Sequence, residues 1–242
     1  MIFAARSLRH ACALFPALWA VPLTHTHAPP APLANPSPSA VLARAVKAYA
    51  DVRTMRATFE QALTNPITGS TAVSHGDYVQ QRPNRIAVRF TDPADDANDR
   101  IVADGSWVWV YVPSATPGRV VRMPVGSGAG ATSVDFIGQF LTAPEEHYTA
   151  SDGGADTVAG RETRAVILIP KGESQFTQAK LWIDLQDAVV RQFEVTDVNG
   201  TVRHVRLTKI AFNTPVDRST FTFTPPPGVK VVDQAHLAGE TS

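Results

Sequence analysis

From Met55 onward the apolar residues of this chain recur at every second position, and one strand-like segment follows another with little helical pattern between them. A chain that alternates over most of its length must build a sheet and bury one face of it. The alternation predicts strands at 55–64, 71–81, 84–91, 100–103, 106–112, 119–123, 147–151, 164–169, 178–185, 189–197, 202–213 and 229–232. Asp104-Gly105 and Asn199-Gly200 are the strongest hairpin signals, because both residues of a tight primed turn need positive φ. The sheet is therefore expected to be mostly antiparallel.

The segment "RPNRIAVRFTDP" sets Ile86, Val88 and Phe90 on one face against Arg85, Ala87 and Arg89 on the other, and Phe59 and Leu63 repeat the pattern on an earlier strand. Two helical stretches are available as cover. Val41, Leu42, Ala45, Val46 and Tyr49 predict a helix over about 40–52, capped by Ser39. In "SVDFIGQFLTAPEEH" Phe136, Ile137, Phe140 and Leu141 predict a second helix, ended by Pro144. Two short helices are little cover for about twelve strands, so the apolar face walls either a packed core or a space kept open. The preceding "GSGAGATS", residues 126–133, is an ordinary surface loop or the hinge of a lid. It fits neither nucleotide-binding fingerprint.

Arg6, Arg9 and His10 precede the apolar run Ala11 to Leu23, and no acidic residue occurs before Asp51, which reads as a secretory signal over 1–28. Thr26 and Ala28 suit a cleavage site but Pro29 and Pro30 do not, and the cut is left open. A proline-rich tether follows at 29–38, then a domain over 39–236 and a tail at 237–242. Removing Arg6 and Arg9 from the 22 basic residues leaves 20 against 22 acidic ones, so nothing favours nucleic acid as a partner. Cys12 is the only cysteine; lipidation there would need small and aliphatic residues before it, where Arg9, His10 and Ala11 stand.

No catalytic arrangement emerges. His75, His147, His204 and His236 are far apart, with no i, i+4 partner for a metal site. No serine sits in a G-x-S-x-G elbow, and Asp95 and Asp96 read as solvated loop charges rather than an acid–base pair. Trp107, Trp109 and Tyr111 alternate with Val108, Val110 and Val112, so that strand needs cover on both faces.

"MRATFEQ" (55–61), "GDYVQQRPNRIAVRF" (76–90), "VADGSWVWVYVP" (102–113) and "FTFTPPPGVKVVD" (221–233) resemble the motifs of LolA, the periplasmic outer-membrane lipoprotein carrier family, in order and spacing over roughly residues 40–235. The resemblance implies a mainly β fold with a few α-helices: an incomplete, unclosed antiparallel β-barrel of about eleven strands with an α-helical lid. It implies a periplasmic chaperone, not an enzyme, without cofactor and monomeric. Such a chaperone takes triacylated lipoproteins from an inner-membrane ABC-type release complex to an outer-membrane receptor. Arg82 matches the family's arginine before proline, which implies a latch on backbone groups of the lid. Phe59, Ile86, Val88, Phe90 and Trp109, with Phe136, Ile137, Phe140 and Leu141 on the lid, are expected to line an acyl-chain cavity. Val88 stands where the family commonly has an aromatic, and the 92–99 loop is long for the family. The rival readings are a lipid or lipoprotein sensor acting on an anti-sigma factor, a specialised lipid shuttle, the membrane-anchored receptor of the same fold and a lipid-acting enzyme.

Overall fold

A computed structural model describes residues 36–91, 98–125 and 135–233, which belong to one compact unit. The expected signal segment with Cys12, Asp95 and Asp96, the glycine-rich stretch and His236 lie outside the described residues. The first helix, α1 (Pro38–Ala50), starts two residues before its predicted position, and Ser37 rather than Ser39 caps it. Pro38 has the fixed φ that suits a first helical turn and no N–H to leave unpaired, while the Ser37 hydroxyl accepts from the Ala40 amide at 3.2 Å.

Twelve strands form one sheet: β1 (Thr54–Thr64), β2 (Thr71–Gln81), β3 (Arg85–Phe90), β4 (Arg100–Asp104), β5 (Trp107–Tyr111), β6 (Arg119–Pro124), β7 (Tyr148–Val158), β8 (Arg161–Pro170), β9 (Phe176–Asp184), β10 (Val190–Asp197), β11 (Val202–Phe212) and β12 (Lys230–Asp233). Their order is β12-β6-β5-β4-β3-β2-β1-β11-β10-β9-β8-β7. Every pairing is antiparallel except β12 with β6. β12 and β7 end the order without meeting, so the sheet is an open, incomplete barrel.

Local differences from the expected pattern have local causes. β7 and β8 run much further than the alternation suggested, joined by Ala159 and Gly160, both at positive φ. That turn has the backbone of a primed hairpin without its usual Asn-Gly or Asp-Gly signature. At the two predicted hairpins only Gly105 and Gly200 take positive φ. Asp104 instead folds its carboxylate back to accept the Ser106 and Trp107 amides, both at 2.8 Å.

The predicted second helix is two, α2 (Gly138–Leu141) and α3 (Pro144–His147). Ala143 between them sits in the left-handed region at φ 43, and Pro144 both closes the first and opens the second. The core lies on the concave side, where α1 and the 136–147 segment cover the sheet with Phe140, Val166, Leu168, Leu181 and Ile183 almost wholly enclosed. On the convex side a short 3-10 turn, Arg218–Phe221, presses buried Phe221 against β3 and β4. No helix among the described residues is long and apolar enough to cross a membrane.

Candidate functional site

The concave faces of β1 to β4, β10 and β11 line an apolar cavity of about 100 Å3 beneath Phe136 and Ile137. Its walls are Phe59, Tyr78, Val88, Phe90, Phe193 and Leu207, with Ile101 and Val205 between them and Phe136 and Ile137 as the roof. Gly76 makes this wall possible. It pairs with Phe59 on one side and Phe90 on the other, and with no side chain between them the two rings meet edge to face at 5.6 Å. A Cβ at Gly76 would come within 2.6 Å of Phe59 Cζ. The polar lining groups are Gln61 and Arg203.

The roof is an aromatic plug. Phe140 packs against Phe176 at 5.7 Å and against Tyr148 and Phe193, both at 6.3 Å, while Phe136 tilts over Tyr78 at 6.2 Å. The Tyr148 hydroxyl donates to the Gln139 carbonyl at 3.1 Å, tying α2 to the first residue of β7.

Arg82 holds the roof's leading edge. Its Nε donates to Asp135 Oδ2 at 3.1 Å, its Nη1 donates to the Tyr49 carbonyl at 3.0 Å, and its guanidinium lies 4.0 Å over the Tyr49 ring. The Tyr49 hydroxyl donates to Asp135 Oδ1 at 2.7 Å, and the same carboxylate oxygen accepts the Gly138 amide at 2.7 Å. One arginine thus joins the end of β2, the C-terminal turn of α1 and the start of the roof. Burial, then the Asp135 carboxylate, push the Tyr49 hydroxyl well above its ordinary value, so it remains a donor throughout the neutral range. Burial does the same to Tyr78, whose hydroxyl donates to Gln80 Oε1 at 3.1 Å.

Phe59, Val88, Phe90, Phe136 and Ile137 meet around one cavity. Ile86, Phe140 and Leu141 lie in the adjoining core rather than at the cavity surface. The cavity also draws on Tyr78, Ile101, Phe193, Val205 and Leu207, which strand register brings together: Tyr78 and Ile101 flank Val88, Leu207 lies opposite Phe59, and Phe193 opposite Val205. Asp135, the carboxylate partner of Arg82, stands in the quoted helical stretch without a sequence signal that marks it as one.

Residues 50–224 match the sequence model of a family described as outer membrane lipoprotein carrier protein LolA. The chain belongs to the LolA family. A Methylibium petroleiphilum protein named outer-membrane lipoprotein carrier protein is 28% identical over 186 residues, which cover 76% of this chain and 85% of that one. A protein of the same name from Legionella pneumophila (strain Paris) is 28% identical over 183 residues, covering 76% and 85%. Among solved structures, an uncharacterized conserved protein from Thermus thermophilus shares the fold with a TM-score of 0.50 at 14% identity, over 80% of this chain and 96% of that one. The relatives are named as carriers, not as enzymes.

Besides the three residues that lie in the adjoining core, one residue expected in the cavity is on the opposite face of the sheet. Trp109 is on the convex face, 5.7 Å from Phe223, with its indole Nε1 donating to Asp104 Oδ2 at 2.9 Å. Val108 and Val110 of the same strand face the core instead. Trp109 and Tyr111 both pack tilted against Phe223, at 5.7 and 5.9 Å, which holds the C-terminal segment to the back of the sheet.

Proposed function

We propose that this protein is an exported, periplasmic carrier that shelters the acyl chains of triacylated lipoproteins in the concave cavity. It would receive them from an inner-membrane ABC-type release complex and pass them, as a monomer, to an outer-membrane receptor. Phe59, Val88, Phe90, Phe136 and Ile137 would contact the chains, with Ile86, Phe140 and Leu141 joining once the roof lifts. The observation that carries this reading is the pairing of an apolar concavity with a roof made of its own aromatic residues.

Each methylene removed from water contributes about 0.8 kcal/mol, so one acyl chain in water costs on the order of 10 kcal/mol. A carrier must cover that surface and still release it. The space beneath the roof, about 100 Å3, is well below the roughly 300–1,000 Å3 of pockets that enclose drug-sized ligands, so cargo must displace the roof. Acyl chains then replace Phe136, Ile137 and Phe140 against the sheet. The net binding free energy is the difference between two similar apolar contacts, which keeps the cargo transferable.

The test is release of lipoprotein. Purified protein added to spheroplasts carrying labelled lipoproteins should bring label into solution as a complex with it. An engineered disulfide between α1 and α2 should abolish release and reduction should restore it. If no lipoprotein is released and native mass spectrometry finds bound phospholipid instead, the cargo is a smaller lipid and the carrier assignment fails.

Arg82 acts in this scheme as the latch, holding a carboxylate and one backbone carbonyl where the family resemblance implied backbone groups alone. Arg82→Leu should keep the fold and its melting temperature within a few degrees, since the ion pair is partly exposed, and should slow transfer to the receptor severalfold. Transfer at the normal rate by a folded variant would remove the latch role.

A further inference from the structure

The convex face carries a second concavity, a groove of about 550 Å3 between the outer faces of β1 to β4 and the Arg218–Phe221 turn. Its floor is apolar, from Val79, Ala87 and Val102, and its rim is cationic. Arg56, Arg89, Arg100 and Lys209 all line it, with Asp77 the lining carboxylate. Among the described residues none of these four cations forms an ion pair, and Arg56 has only the Pro215 carbonyl at 3.4 Å.

Three details make this more than a charged surface. Arg89 on β3 stands directly opposite Asp77 on β2 and Arg100 on β4, so along this row one carboxylate faces two guanidinium groups and cationic charge is left over. Arg100 is held against the Phe223 ring at 5.1 Å and the Tyr111 ring at 5.6 Å, and its Nε is buried with no hydrogen-bond partner. Lys209 sits in a bulge, where Lys209 and Ile210 of β11 oppose Ala57 alone on β1, and it takes the left-handed φ of 49. Bulges re-aim side chains, and this one brings a fourth cation into the groove.

We propose that the groove is an anion site that takes a phosphate group, either inorganic phosphate or the headgroup of an anionic phospholipid. Three guanidinium forks and an ammonium converge from four strands, and the hydroxyls of Thr220 and Thr222 line the same groove. A carboxylate is satisfied by one such fork; a tetrahedral phosphate has oxygens for several, and its charge better matches four cations less one carboxylate. The groove and the apolar cavity lie on opposite faces of the sheet, so this inference stands apart from the carrier reading.

Calorimetric titration with inorganic phosphate, at ionic strength held constant with chloride, tests it, together with flotation on phosphatidylcholine vesicles with and without phosphatidylglycerol. Saturable phosphate binding is expected. Arg89→Gln and Lys209→Gln, both at exposed positions, should each weaken it about tenfold while leaving the melting curve unchanged. Flotation that requires phosphatidylglycerol, is competed by phosphate and is lost in Arg89→Gln would make a lipid headgroup the source. Phosphate binding without flotation would make it the free ion. Absence of both, binding that the two variants leave unchanged, or capture of a glutamate-rich peptide where phosphate does not bind would overturn the proposal.

Discussion

Replacing Phe140 with alanine should release the roof of the cavity while the sheet stays folded. Phe140 is 1% exposed and is the point where α2 meets β7, β9 and β10 through Tyr148, Phe176 and Phe193. Truncating an enclosed phenylalanine costs about 3–5 kcal/mol. The other anchors of this four-residue helix are few: the Tyr148 hydroxyl on Gln139, the Asp135 carboxylate on the Gly138 amide, the Ile137 contact, and Leu141 buried beside α1. Segments with so few anchors open on their own, below the free energy of global unfolding. The loss therefore falls on the roof equilibrium, where 3 kcal/mol is a factor of about 150. Amides of residues 138–142 should exchange with solvent more than a hundredfold faster, and a hydrophobic dye should bind the uncovered sheet, with only a small change in melting temperature. If the melting temperature falls by the full amount and the dye stays unbound below it, the roof is part of the global core and does not open separately.

That the roof and cavity sit on this sheet was legible because alternation is a local property. Phe59, Val88 and Phe90 each point inward by their own neighbours, and all three reach the cavity. Trp109 shows where local reading fails. In "WVWVY" both faces are apolar, so nothing within the strand says which is inside; the answer is set by Phe223, more than a hundred residues later, whose ring occupies the outer face. Register is equally non-local. Val205 and Leu207 alternate plainly, yet only the pairing of β1 with β11 places them beside Phe59. β7 runs past its predicted end because "YTASDGGADTV" is exposed along most of its length and has no apolar alternation to reveal it. The latch was half visible: an arginine before proline marks itself, whereas Asp135 is one acidic residue among several until folding sets it 3.1 Å from Arg82.

The largest expected effect on stability comes from a site that no motif marks, the turn between β9 and β10. Asp184 is 1% exposed, and its Oδ2 accepts from Arg161 Nε at 2.6 Å and Arg191 Nε at 3.1 Å. Its Oδ1 accepts the Gln186 amide at 2.8 Å, and Asp187 takes the far ends of both arginines. Burial raises its pKa, but the bonds from Arg161, the Gln186 amide and Arg191 outweigh that and bring it from 3.8 down to about 2. A carboxylate depressed in the folded state stabilises above its unfolded value and loses that contribution as pH falls through the folded one. Here the window runs from about pH 4 to pH 2, and the contribution is about 2 kcal/mol. Asp184→Asn removes it at neutral pH and also turns an amide NH2 toward two guanidinium groups, for a loss of about 3–5 kcal/mol. The damage reaches the helix that covers the core, because Arg44 of α1 donates to the Leu185 and Gln186 carbonyls of this turn at 3.0 and 3.3 Å. Denaturant unfolding of both proteins between pH 7 and pH 2 isolates the charge. Asp104, Asp152, Asp156 and Asp217 are also depressed, but they titrate alike in both proteins and cancel in the difference. The gap between the two proteins should hold steady down to pH 4 and narrow below it; a gap that stays constant to pH 2 would assign the loss to packing rather than to the carboxylate.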